Sequence, residues 1–258
     1  MFQAPSDVAF EILGFSVYWY GIIMAVAVFC GFSICAYLCR EKYGNDQLIW
    51  DISPVLIIAG ILGARLYYCI VNYKYYSENP LEIFDIRQGG LSVHGMIIFG
   101  SVALYLLLKS KKIPFFKFSD VFVIGVILGQ SIGRWGNFFN SEAFGTPTDL
   151  PWKLFIPLQN RPEEYINYEF FHPTFLYESL LDLVLFFILI ILFKKDVKPK
   201  GLITFLYLFG YSLIRTGVET FRVDSVLNIF GVPVAQFISG ILLIISLIAI
   251  LSIKKNNL

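Results

Sequence analysis

The sequence predicts an all-α polytopic membrane protein of about seven transmembrane helices with a small extracytoplasmic cap. Three observations predict it. Of 258 residues, 57% are hydrophobic and only 15% are charged, where a soluble domain carries about 25% charged residues. Apolar runs of about 20 residues recur along the chain, enough to cross about 30 Å of hydrocarbon. The basic residues, finally, gather in alternate connections between those runs.

The bulk composition excludes little beyond that. A net charge of +1 gives no electrostatic reason to expect a nucleic acid. The four cysteines, Cys30, Cys35, Cys39 and Cys69, fall inside apolar runs without metal-type spacing, which makes them small buried hydrophobes rather than ligands. The first 16 residues hold Asp7 and Glu11 and no Lys or Arg. A basic leader segment is therefore missing, and the first span is expected to stay in the mature protein.

Seven apolar segments follow in order, at about 17–39, 50–70, 89–108, 119–139, 175–193, 201–218 and 233–253. The third and sixth are interrupted by Gly and polar residues. Loops on one side hold Arg40, Lys42, the lysines of 109–117 and of 194–200, Lys254 and Lys255, twelve basic residues. The other side holds five, Lys74, Arg87, Lys153, Arg161 and Arg222. Basic loops stay in the cytoplasm, so the N-terminus is expected outside and the C-terminus inside. Residues 1–258 read as a single integral membrane domain. Within it, 140–173 carries Pro147, Pro151, Pro157, Pro162 and several aromatics, and is expected to form the extracytoplasmic cap. A second outer segment, 71–88, is aromatic and polar.

The three remaining arginines lie inside spans. Spans two, four and six start near Trp50, Ser119 and Gly201. At 1.5 Å per residue, Arg65, Arg134 and Arg215 each lie about 21–23 Å along a crossing of about 30 Å. Tyr20, His94, Glu178 and Asp182 fall near the outer starts of spans one, three and five. Gln130, Arg134, Asn137 and Ser141 share one helix face, as do Tyr211, Arg215, Glu219 and Arg222, and also Arg65, Tyr68 and Asn72. Gly125, Gly129 and Gly133 form a small-residue ridge on which another helix can pack.

Each residue also has a plainer use. Arg65 near a helix end can snorkel, Arg215 can pair with Glu219 one turn on, and Asn137 and Gln130 can join helices. His94 can be a satisfied core histidine, and His172 a structural one beside Pro173. The convergence at one depth favours a shared site. Clustered guanidiniums in a low-dielectric cavity suit phosphate, which at this depth is a lipid headgroup, and a histidine at that level is a candidate proton acceptor. A metalloprotease helix, a nucleophile elbow, a Walker loop and a Cys/His metal cluster are all missing from the sequence, so no metal or other cofactor is called for. A transporter or binding protein for an anionic lipid or solute remains the alternative.

The stretch Gly133-Arg134-Trp135-Gly136-Asn137-Phe138-Phe139-Asn140-Ser141-Glu142-Ala143-Phe144-Gly145 resembles the signature of the prolipoprotein diacylglyceryl transferase family, Gly-Arg-x-Gly-Asn-Phe-x-Asn-x-Glu-x-x-Gly. The likeness continues through Trp19-Tyr20-Gly21, Gly63-Ala64-Arg65, Gly89 to Gly95, His172 to Glu178 and Arg215 to Arg222. One departure is Met96, where the family often has a second glycine after His94-Gly95. The resemblance implies transfer of the diacylglyceryl group of phosphatidylglycerol onto the lipobox cysteine of a preprolipoprotein signal peptide. It takes place in the bacterial cytoplasmic membrane. It also implies roles. Arg134 and Arg215 hold the lipid phosphate, His94 accepts the thiol proton, and Asn137, Glu142 and Tyr20 orient the site. Arg65 joins the lipid-binding set, Gly133 is structural, and Gly145 permits the turn into the cap.

Overall fold

The computed structural model describes residues 1–86, 89–223, 228–229 and 231–255. Arg87 and the side chains of Lys254 and Lys255, three of the loop cations counted above, lie outside the described residues. The chain divides into two compact units, Met1–Ile34 with Ser119–Leu258, and Cys35–Phe118.

The elements run in order as a hairpin of β1 (Val8–Ile12) and β2 (Phe15–Tyr18), then α1 (Trp19–Tyr43), α2 (Gln47–Val71), the short α3 (Tyr73–Glu78), α4 (Val93–Ser110) and α5 (Phe115–Phe139). After these come β3 (Leu154–Phe155), β4 (Phe170–Phe171), α6 (Thr174–Lys194), α7 (Leu202–Glu219), β5 (Asn228–Ile229), β6 (Val232–Pro233) and α8 (Val234–Lys255). Among the described residues six helices are long and apolar enough to cross a membrane: α1, α2, α4, α5, α6 and α8 over Val234–Ser252. The protein is an all-α, multi-pass membrane protein. The expected sixth span is α7, helical over 18 residues but less apolar, because Tyr207, Tyr211, Ser212, Arg215, Thr216 and Glu219 interrupt it. Exposed side chains along the spans, such as Ile58, Leu62 and Leu66 on α2 and Ile244 and Ile248 on α8, are those that lipid tails can meet without cost.

In the first unit α5 is the organising helix. Its glycine ridge receives α1. A Cβ on Gly31 would stand 2.9 Å from the Gly125 carbonyl oxygen, and one on Gly133 3.4 Å from Met24 Sδ. At the other end of α5, Asp120 caps α7. Its Oδ2 accepts the Gly201 N–H at 2.7 Å and its Oδ1 accepts the Thr204 N–H at 2.9 Å. A carboxylate at a helix N-terminus satisfies donors that have no partner within the helix. It also sets register: Arg134 follows Asp120, and Arg215 follows Gly201, by 14 positions, about 21 Å along their helices at 1.5 Å per residue. A second clamp joins α5 to α6, with Ser131 Oγ donating to the Ser179 carbonyl and Ser179 Oγ to the Ser131 carbonyl, both at 2.8 Å.

Residues 140–173 fill the interval between α5 and α6. Their core is Phe144, Leu154, Ile156 and Phe171, packed with Phe175 of α6. The antiparallel pair β3–β4 is extended by Phe2, which bridges Leu154.

In the second unit α2 and α4 cross at two glycines. A Cβ on Gly95 would lie only 2.2 Å from the Gly63 carbonyl oxygen, so no other residue fits. Met96, the departure from the family pattern, packs over Gly60, where an added Cβ would come within 3.2 Å of its Cγ. The third span begins at Val93, four residues later than the apolar pattern suggests. Gly89 and Gly90 hold φ of 91° and 73°, a left-handed backbone that a right-handed helix cannot contain.

Candidate active site

The end of α5 carries Arg134 and Asn137 one turn apart, and the chain then reverses. Ser141 and Ala143 adopt φ of 52° and 56°. For residues with a Cβ this backbone costs about 1–2 kcal/mol each, and such strain gathers where a side chain must be aimed. What it aims is Glu142. Its backbone N–H donates to the Asn137 carbonyl at 3.0 Å, and its Oε1 accepts from Asn137 Nδ2 at 2.7 Å and from Asn140 Nδ2 at 3.4 Å. Tyr20 leans on the same helix: a Cβ on Gly136 would meet its ring at 2.8 Å.

The charges meet one step inward. Glu178, near the start of α6, is 1% exposed and bridges two arginines from different helices. Its Oε1 lies 2.6 Å from Arg134 Nη2 and its Oε2 3.1 Å from Arg215 Nη1. Arg215 Nη2 also pairs with Glu219 at 2.7 Å, the turn-to-turn pair anticipated from spacing, and Arg222 lies 3.9 Å from the same oxygen. Tyr211 donates to Glu178 Oε1 at 3.5 Å, and below it Tyr207 donates to Gln130 Oε1 at 3.1 Å. One turn deeper on α6, Asp182 is fully buried and neither carboxyl oxygen has a hydrogen-bond partner.

Gly145 closes the reversal. It is not the turn residue the sequence suggests, since Ser141 and Ala143 supply the left-handed backbone. It permits a close crossing instead. A Cβ there would stand 2.9 Å from each of His172 Cβ, the Phe221 carbonyl oxygen and Thr174 Cγ2. Through it the signature loop is tied to the end of α7, with the Thr146 N–H donating to Phe221 at 2.9 Å. Gly145→Ala is accordingly expected to cost about 1–3 kcal/mol, as overpacking does, and to read out as a lower Tm in detergent. His172 serves this junction. Trp152 Nε1–H donates to Tyr177 Oη at 2.9 Å, which leaves the tyrosine's own proton for His172 Nδ1 at 3.1 Å. Burial lowers the imidazole below its ordinary range, in keeping with a neutral, accepting ring.

Arg65 and His94 belong to the second unit. Every N–H of Arg65 is engaged: Nε donates to Ile83, Nη1 to Gly89 and Gly90, and Nη2 to Glu82 and Asp85, all backbone carbonyls. A guanidinium has five N–H donors, and in this structure all five of Arg65 are given to backbone carbonyls, whereas the sequence places it in the lipid-binding set. It anchors Glu82, Ile83, Asp85, Gly89 and Gly90, and with Tyr68 and Asn72 it lines a cavity of about 410 Å³. His94 is the second residue of α4, exposed, with its ring 6.0 Å from that of Tyr67. The Ser92 N–H holds that helix start to the Ala64 carbonyl at 3.0 Å.

Of the predicted residues, the structure thus brings Arg134 and Arg215 of the first unit onto one buried carboxylate, with Asn137 and Glu142 linked beside Arg134 and Tyr20 against Gly136 of the same helix. Sequence reasoning placed Glu178 near the outer start of the fifth span but gave it no role. The missing signal was electrostatic: two arginines inside spans need an anion, and Glu178 is an acid at their level on a third helix.

The sequence model of the prolipoprotein diacylglyceryl transferase family matches residues 7–252. The chain belongs to that family. It is similar to the phosphatidylglycerol–prolipoprotein diacylglyceryl transferase of a Synechococcus species, 46% identical over 94% of this chain and 91% of the relative. The same enzyme of a Nostoc species is 43% identical over 100% of this chain and 93% of the relative. That of a Synechocystis species is 46% identical over 92% and 86%. The family's members are transferases, and their likeness to this chain runs through both of its units.

Proposed function

We propose that this chain transfers the diacylglyceryl group of phosphatidylglycerol to the lipobox cysteine of a preprolipoprotein signal peptide. The sulfur bonds to the glyceryl carbon that carried the phosphate, the carbon–oxygen bond breaks, and glycerol phosphate departs. Arg134 and Arg215 hold the phosphodiester and meet the charge that grows on the leaving phosphate. Asn137, Glu142 and Tyr20 fix the rim of that site, and His94 takes the thiol proton. The nucleophile comes from the substrate, in keeping with four free cysteines here of which Cys35, Cys39 and Cys69 are buried. The protein sits in the bacterial cytoplasmic membrane, its N-terminus and the 140–173 cap outside and its C-terminus inside.

The observation that carries this reading is the pair of guanidiniums from α5 and α7 meeting on one buried carboxylate, in a chain whose family and relatives are diacylglyceryl transferases. Arg134 also reaches Asn137 Oδ1 at 3.4 Å and Arg215 pairs with Glu219 at 2.7 Å, and each guanidinium, with five N–H donors, keeps others for a phosphate. The test is direct: purified protein, phosphatidylglycerol vesicles and a lipobox peptide are incubated, and the peptide is weighed by mass spectrometry. A diacylglyceryl adduct on cysteine is expected, with glycerol phosphate released in equal amount. Phospholipid binding without an adduct would point instead to a lipid-binding protein or transporter.

A further inference from the structure

Glu178 is the group that the proposed chemistry leaves unused. It is 1% exposed, while the side chains of Arg134 and Arg215 are 20% and 12% exposed. The carboxylate is therefore more deeply buried than the two guanidiniums it holds, whose other contacts are Arg134 Nη1 to Asn137 Oδ1 at 3.4 Å and Arg215 Nη2 to Glu219 at 2.7 Å. Its two oxygens address one arginine each, so a single planar group sets the direction of both. The helix that carries it is held in turn. The reciprocal Ser131–Ser179 hydrogen bonds lock α6 to α5 one residue beyond Glu178 and one turn before Arg134. The Asp120 cap fixes α7 against α5, and Tyr211 donates to the same carboxylate.

We infer that Glu178 is a positioning residue, a buried carboxylate that splays Arg134 and Arg215 so that the N–H groups not given to Glu178, Asn137 and Glu219 receive one phosphate from the more exposed side. This inference rests on the reading of those two arginines as the phosphate's partners. Geometry separates it from two other uses of the same charge. A carboxylate that merely occupied the phosphate's place would stand on the open side and compete with lipid. One that merely balanced charge could sit anywhere nearby and would not need both oxygens.

Full-length Glu178→Asp and Glu178→Gln are compared with the unmodified protein in the vesicle assay, with KM measured separately for phosphatidylglycerol and for the lipobox peptide. Aspartate keeps the charge but withdraws it by one methylene; glutamine keeps the reach but loses the charge. Both are expected to raise KM for phosphatidylglycerol about ten-fold, the equivalent of one good hydrogen bond, with KM for the peptide unchanged. Lower turnover with both KM values intact is what a smaller folded fraction gives, and would overturn the inference. So would a fall in the lipid KM of Glu178→Gln, the mark of a competing carboxylate, or a fully normal Glu178→Asp. If glutamine prevents folding, the aspartate variant decides alone. Failure of the unmodified protein to transfer at all would strike the functional reading instead.

Discussion

Arg134→Ala is expected to reduce diacylglyceryl transfer by more than about a thousand-fold while the protein still inserts in the membrane. Two effects combine. Removing a donor aimed at developing charge costs about 10²–10³ in turnover by itself, and here the donor also helps bind the ground-state phosphodiester. The variant further leaves Glu178 with Arg215 alone, a half-broken buried pair, and breaking such a pair outright costs about 3–5 kcal/mol. Stability must therefore be read beside activity. Tm in detergent and the yield of membrane-inserted protein show whether the chain still folds. Arg134→Lys separates the contributions, because lysine keeps a cation beside Glu178 but lacks the planar fork that can face a carboxylate and a phosphate together. It should restore most of the lost stability and little of the lost transfer. Near-normal transfer by a folded Arg134→Ala would remove this arginine from phosphate binding.

Most of the helical plan is legible in the sequence because a membrane punishes ambiguity. A run of apolar residues long enough to cross hydrocarbon has few other options, and α1, α2, α5, α6 and α8 start and end within a few residues of their apolar limits. The start of α4 misleads for a local reason. Gly89 and Gly90 look like a helix's small residues but hold left-handed φ and turn their carbonyls onto Arg65. The three intramembrane arginines look alike by depth, yet they differ in what accepts their protons. Arg134 and Arg215 face carboxylates, whereas Arg65 donates to backbone oxygens and lies over the Tyr76 ring. Depth follows from counting residues along one helix; the choice of partner depends on how a different helix or loop is placed. The same limit hides Asp120, which reads as an ordinary interfacial acid until Gly201 and Thr204, more than eighty residues on, present their N–H groups to it.

The second large effect concerns the thiol. His94→Asn is expected to lower turnover by about 10²–10⁴, the usual worth of a general base, with phosphatidylglycerol affinity nearly unchanged, because asparagine keeps a polar side chain of similar size but accepts no proton at neutral pH. The pH profile distinguishes a lost base from a damaged site. A free cysteine thiol ionises near 8.5, so roughly 3% is thiolate at pH 7. Without a base, the variant depends on that fraction. Its residual rate should climb about ten-fold per pH unit and level off near 8.5, whereas the unmodified protein, which removes the proton itself, should rise far less over the same interval. A variant crippled by misfolding would show the ordinary profile at lower amplitude. Unchanged turnover in His94→Asn would assign the proton to another acceptor, and a flat, low profile would leave His94 a purely structural part of the start of α4.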